Sequence, residues 1–312
     1  MSSTDTALQF QCGQAAMIGI LSLPAAAATR GVLIVVGGPQ YRAGSHRQFT
    51  LLARELAAAG TAAMRFDYRG MGDSEGDVRS FDDVEDDLSA AVDAFFNAVP
   101  TLQSVVLWGL CDGACAALFY APGDVRISGL VLLNPWMHTD AGAARTRLRH
   151  YYLERLMDRA FWHKLFSGQF DLIAAVRSLG QTLSQTWTKA HVTTPGPLAQ
   201  VPIPVSSISV PTVSADAAIS GELLPERMRQ GFRDFQGKIL LITSGRDLTA
   251  KQFLDAVANS REWRKLIRLP HVTRHNLAEA DHTFSRRQWR DQVAAWTVQW
   301  AASIKPENLP KN

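Results

Sequence analysis

Residues Trp108 to Leu118 read WGLCDGACAAL, and the fold is decided at their centre. The frame Gly109-Leu110-Cys111-Asp112-Gly113 is G-x-C-x-G. It follows the apolar run Ser104–Trp108, which reads as a strand, and opens Asp112–Tyr120, which reads as a helix. A strand-to-helix turn of this kind, the nucleophile elbow, exposes its central side chain at the top of a sheet. Glycines at both ends let the turn close tightly and the helix approach the sheet. Cys111 therefore has two readings. One is a nucleophile at a helix N-terminus, where the helix dipole and free amides favour a thiolate. The other is a small buried thiol, the usual fate of a free cysteine. Cys115, one helical turn later, reads as the second kind.

The same alternation of strand and helix extends outward from this turn. Gly31–Val36 (GVLIVV) is a continuous β-branched run, as a strand covered on both faces requires. Phe49–Ala59 is an amphipathic helix ended by Gly60, and Thr61–Asp67 is the next strand. Ser80 is a candidate N-cap for a helix reaching Ala98, with Asp82, Asp83, Glu85, Asp86 and Asp87 in its first turns. These acids read as solvated complements of the helix dipole and not as metal ligands. Ile127–Leu133, Lys238–Thr243 and Lys265–Leu269 read as further strands, and Trp289–Ile304 as a closing helix. This pattern predicts an α/β protein with a mostly parallel, doubly wound sheet.

Between Asn134 and Gly237 the pattern changes. Ala144–Leu183 looks helical and is crowded with Arg145, Arg147, Arg149, Arg155, Arg159 and Lys164. His191–Pro211 then holds five prolines, and a loop of that length is functional or mobile. The reading is a core of residues 1–135 and 237–312 with a helical cap, 136–236, inserted after a late strand. The cap's basic residues are either a solvated face or a guide for an anionic substrate or partner.

Composition narrows the function classes. The 312 residues are 46% hydrophobic and 20% charged, with a net charge of +3. That is ordinary for a globular chain and too mild to argue for nucleic acid. No apolar run is long enough to span a membrane. Ala15–Ala28 is apolar, but nothing basic precedes it and Gly19 and Pro24 interrupt it. It reads as a strand, Met17–Leu23, and not as an export signal. Three cysteines, Cys12, Cys111 and Cys115, form no spaced framework, so neither disulfides nor a zinc site are expected. No cofactor motif is present, and nothing in the sequence sets an oligomeric state.

A base and its orienter follow the elbow in chain order. After KILLIT comes Ser244-Gly245-Arg246-Asp247, which puts Asp247 just past a strand's carboxyl end, where such sheets build their sites. His282, in Ala280-Asp281-His282-Thr283-Phe284, precedes the last helix. A histidine there takes the thiol proton and returns it to the leaving group, and the acid holds the ring. Asp140 is a rival for the acid. His271 and His275 are spaced i, i+4 but lack the glutamate of a zinc motif, and they read as surface or substrate-side residues in a loop. An oxyanion hole needs two donors. One is the amide of Asp112. The other comes from Gly37-Gly38-Pro39-Gln40, where Pro39 has no N–H to give. That leaves Gly38 or Gln40, with Gly38 preferred.

With these parts in place the chain resembles the α/β-hydrolase superfamily over nearly its full length. DYRGMGDS, Asp67–Ser74, is similar to that superfamily's D-x-R-G-x-G-x-S loop, whose Asp and Arg are structural. VVGGPQYRAGSHRQF, RFDYRGMGDSEG and GLCDGACAAL together resemble the hydrolases associated with the exosortase A system of bacterial exopolysaccharide loci. The resemblance implies a cytoplasmic enzyme with Cys111 as nucleophile and Asp247 and His282 as its partners. It also brings Arg42, Ser45 and His46, with Gly37, to the pocket, unless they only pack the first helix. Dienelactone hydrolases are similar in using cysteine on this fold. The expected activity is hydrolysis of an ester, thioester or lactone in a small-molecule acyl substrate, a saccharide-linked one included. Two alternatives stand beside it: acyl transfer to a sugar or amine, and a non-catalytic binding protein of the polysaccharide machinery that uses the basic cap.

Overall fold

A computed structural model of the chain describes residues 4–37, 40–137 and 223–304. Eight strands form one sheet in the order β1-β2-β4-β3-β5-β6-β7-β8. The strands are β1 (Thr4–Cys12), β2 (Ala15–Leu23), β3 (Arg30–Val35), β4 (Ala62–Phe66), β5 (Ser104–Leu110), β6 (Ile127–Leu133), β7 (Lys238–Ser244) and β8 (Val272–Leu277). β1, β2 and β4 pair antiparallel, and every pairing from β4 across to β8 is parallel. Among the described residues the α-helices are α1 (Gln48–Ala58), α2 (Glu85–Ala98), α3 (Asp112–Tyr120), α4 (Leu223–Asp234), α5 (Leu248–Asn259), α6 (Arg261–Leu266) and α7 (Arg287–Ser303).

The central strands behave as their composition requires. Every residue of β4 and β5 is buried, as are all of β3 and β7 but the first. β1 alternates instead, with Leu8, Phe10 and Cys12 as its more covered positions, the signature of an edge strand with one face on the core. Trp108 of β5 lies in the core against Phe49 of α1, ring centroids 5.5 Å apart, and its indole N–H donates to Thr297 of α7 at 3.3 Å. Parallel strands point their carboxyl ends the same way, so the turns after β3, β5, β6 and β7 open at one edge of the sheet.

Several local expectations are corrected. Lys265–Leu269 is not a strand. Arg261–Leu266 is α6, capped by the Ser260 hydroxyl, which accepts from the Trp263 N–H. Trp263 and Leu266, three apart, face the core, and the strand follows at Val272–Leu277. A short apolar run fits either element, and here the cap and the i, i+3 spacing prevail. α2 starts at Glu85, not after Ser80, because Ser80–Asp83 closes a turn of its own, Asp83 N–H to Ser80 O. Its acids are not all solvated. Asp87 is 0% exposed and bonds the backbone and guanidinium of Arg69. His275 is not in a loop but in β8, stacked on Trp296 at 4.3 Å. Residues 223–236, grouped with the cap in the sequence reading, belong to the core's packing, with Met228 and Phe232 of α4 fully buried.

Candidate active site

The site is built at the turn from β5 into α3. Cys111 has φ 60° and ψ −123°, a conformation that L side chains rarely adopt and that needs surrounding structure to hold it. Three glycines make the turn possible. A Cβ on Gly109 would lie 2.3 Å from Gly113 O, and one on Gly113 would lie 2.7 Å from Val35 O. A Cβ on Gly37 would meet Asp112 Oδ1 at 2.4 Å and Leu110 O at 2.5 Å. Any larger residue would drive α3 off the sheet, so these positions are glycine for reasons of space. The Cys111 N–H is anchored to Leu133 O on β6 at 2.9 Å. Its thiol is free and partly exposed. Cys115 is buried and its thiol donates to Trp136 O at 3.1 Å; burial pushes that thiol well above the ordinary range.

Asp247 and His282 come together with Cys111. The His282 ring hydrogen-bonds the Asp247 carboxylate through Nδ1 at 2.9 Å and has Cys111 as a further electrostatic neighbour. Asp247 first, then Cys111, pushes the imidazolium pKa from 6.5 up to about 10. The carboxylate is nearly buried and has further duties. It caps α5 by accepting from the N–H groups of Thr249 and Ala250 at 3.1 and 3.0 Å. A cap on the first helical turn fixes the carboxylate that faces the histidine.

Asn134 is a site residue the sequence reading missed. It is 0% exposed with φ 41°. Its side chain donates to Ser244 Oγ at 2.9 Å and to the His282 carbonyl at 3.0 Å, and accepts from Ser244 N–H at 2.8 Å. It thereby ties the ends of β6 and β7 to the histidine loop. The available signal was a polar side chain directly after a fully apolar strand, at the edge where sites form.

Gln40 is half-buried, with its side-chain oxygen buried and lacking a hydrogen-bond partner among the described residues. Arg42 bonds the carboxylates of Asp67 and Asp73, and its own N–H donates to Asp67 at 2.7 Å, so it braces the Asp67–Ser74 loop. Arg69 in that loop holds Asp87, as its structural reading implied. Ser45 opens a short 3-10 turn ahead of α1, and His46 in that turn is exposed at φ 53°. His46 lies near the histidine loop. Burial raises the Asp281 pKa, but hydrogen bonds from Ser285 and Thr283 and, more weakly, the charge of His46 bring it below the usual carboxylate range. Gly38, Pro39 and Asp140 lie outside the described residues, as do the basic residues 145–164 and the proline-rich loop. Among the described residues no group of three or more His, Cys, Asp or Glu could hold a metal ion. Among them, too, no helix is long and apolar enough to cross a membrane.

A family model for serine aminopeptidase S33, a hydrolase family, matches residues 27–189, just over half of the chain. The chain belongs to this family. The S33 name specifies a serine, whereas this member carries Cys111 at the elbow. An esterase of Pyrococcus furiosus shares the fold at a TM-score of 0.61 and 13% identity, over 97% of this chain and 92% of that one. A dienelactone hydrolase of Anabaena variabilis does so at 0.57 and 15%, over 97% and 99%. At such identities the likeness establishes the α/β-hydrolase fold. A quorum-quenching protein, AidA, of Acinetobacter baumannii is 30% identical over 125 residues, 38% of this S33 chain, which spans 40% of that relative.

Proposed function

We propose that this S33 member is an acyl-transfer hydrolase working through a thioester on Cys111. The observation that supports this reading best is the His282 ring, hydrogen-bonded to Asp247 and electrostatically coupled to Cys111 on the strained elbow. His282 already carries the proton shared with the Cys111 thiol as sulfur attacks the substrate carbonyl, and the carbonyl π pair moves to oxygen. The Asp112 amide and an amide of the Gly37–Gln40 loop stabilise that oxyanion. Collapse expels the alcohol or thiol leaving group, which receives the proton from His282, and leaves the acyl group on sulfur. Water, losing its proton to His282, attacks the thioester; collapse releases the acid and the Cys111 sulfur, which again shares the proton held by His282. Asp247 stabilises the imidazolium throughout.

A thiolate is a good nucleophile and a good leaving group, which suits esters, thioesters and lactones better than amides. The three segments that resemble exosortase A-associated hydrolases extend the proposal to a cytoplasmic, saccharide-linked acyl substrate of exopolysaccharide production. The same thioester passed to a sugar hydroxyl or amine in place of water would make the enzyme an acyltransferase.

The test is intact-protein mass after mixing with p-nitrophenyl acetate, wild type beside Cys111→Ala. The expected result is a transient acetyl mass gain in wild type alone. A folded wild type that neither gains mass nor releases p-nitrophenol, or an equal gain in Cys111→Ala, would overturn the proposal.

A further inference from the structure

We infer that Asn134 is a positioning residue of the reaction, holding His282 in register with Cys111 through the main chain of the histidine. This deepens the hydrolase reading and rests on it. The segment from Leu133, the last residue of β6, to Trp136 holds both halves of the site. Leu133 O accepts the Cys111 N–H at 2.9 Å, and the Trp136 N–H donates to Cys111 O at 3.4 Å, so the nucleophile is gripped through both of its peptide groups. Between these two contacts, the Asn134 side chain reaches the histidine loop and donates to the His282 carbonyl at 3.0 Å. One short segment thereby sets where the elbow and the histidine sit relative to each other.

His282 is then fixed at two points. Asp247 holds its ring through Nδ1 at 2.9 Å, and Asn134 holds its main chain. The ring bond alone leaves the residue free to turn about the carboxylate, and the carbonyl bond removes that freedom. Asn134 is itself firmly placed. It is 0% exposed, and its N–H donates to Ile242 O at 3.0 Å. Its side chain also donates to Ser244 Oγ at 2.9 Å and accepts from the Ser244 N–H at 2.8 Å. Its φ of 41° lies in the left-handed region, which asparagine enters more readily than most side chains. An amide is the group this position needs, because its two hydrogens serve Ser244 and His282 while its oxygen accepts. An ionised carboxylate of the same shape has no hydrogen to give.

The experiment compares wild type with Asn134→Gly, Asn134→Asp and Ser244→Ala. Glycine accepts the backbone angle and deletes the side chain. Aspartate keeps the acceptor for Ser244 N–H but loses the donor to His282 when ionised. Ser244→Ala removes one partner of Asn134 and leaves the His282 contact in place. Two quantities are read: kcat and KM for p-nitrophenyl acetate, and the rate of Cys111 alkylation by iodoacetamide at about pH 6.5, where an ordinary thiol is protonated. Intact mass with Cys111→Ala as blank assigns the alkylated residue. In folded Asn134→Gly and Asn134→Asp, kcat should fall about 10–100-fold with KM within about twofold, and alkylation should slow about tenfold. Ser244→Ala should lose far less of both. A folded Asn134→Gly that keeps kcat within about threefold overturns the inference. A loss in Ser244→Ala equal to that in Asn134→Gly also overturns it, since the effect then belongs to the tie between β6 and β7. So does alkylation of wild type no faster than that of an ordinary thiol. A folded wild type that is never acylated, with alkylation still slowed in Asn134→Gly, removes the hydrolase reading and leaves the positioning role standing.

Discussion

Replacing Asp247 by asparagine separates the electrostatics of the site from its scaffolding. Asparagine keeps an oxygen for the N–H groups of Thr249 and Ala250, so α5 retains its cap, but the charge facing His282 is gone. In the native protein that charge is the first cause, and Cys111 the second, of an imidazolium pKa raised from 6.5 to about 10. At 1.36 kcal/mol per tenfold, the rise amounts to ~5 kcal/mol of preference for the charged ring. The ring is 34% exposed, and solvent screening reduces its worth to folding to ~2 kcal/mol. Because the folded-state pKa is raised, this stabilisation is fully present below pH 6.5 and fades as pH rises through about 10. Asp247→Asn should bring the titration midpoint down to roughly 7–8 and slow acylation by ~10²–10⁴ through loss of the imidazolium and its tautomer. The assay is an NMR titration of ring-labelled histidine, with His282→Gln identifying its resonance among the eight histidines. A wild-type midpoint between 6 and 7, or one that Asp247→Asn leaves in place, would refute the reasoning.

Two further outcomes follow from backbone and burial. Cys111→Gly relieves the φ 60° conformation and should raise stability by ~1 kcal/mol in denaturant melts while abolishing acylation; a drop in stability would contradict the strain. Arg69→Ala strands the fully buried Asp87 carboxylate and should cost ~3–5 kcal/mol in urea unfolding. Asp87→Asn in that background should recover part of it, and an unchanged midpoint for Arg69→Ala would show that the pair carries no weight.

The strands that were legible are those whose environment is uniform. GVLIVV, ISGLVLL and KILLIT are continuous apolar runs because both faces of a central parallel strand are covered. The elbow was legible because three of its constraints act within five residues: the glycines, the turn and the helix start. β1 was missed because an edge strand alternates weakly among Thr, Gln and Phe. β8 was displaced because KLIRL satisfies two periods at once and only the Ser260 cap and the packing of Trp263 choose between them.

The sequence by itself determined the layered α/β architecture and the chain order of Cys111, Asp247 and His282, since local pattern and turn chemistry suffice for both. Tertiary structure alone decided that these side chains, 136 and 35 residues apart along the chain, come together at one edge of the sheet, with His282 hydrogen-bonded to Asp247. It alone turned Arg42 toward Asp67 and Asp73, buried Asp87 against Arg69, and set Asn134 as the tie between β6, β7 and the histidine loop. The reason is physical. A strand's period records which faces are covered, whereas the partner of a polar side chain depends on which strand ends the sheet order brings together.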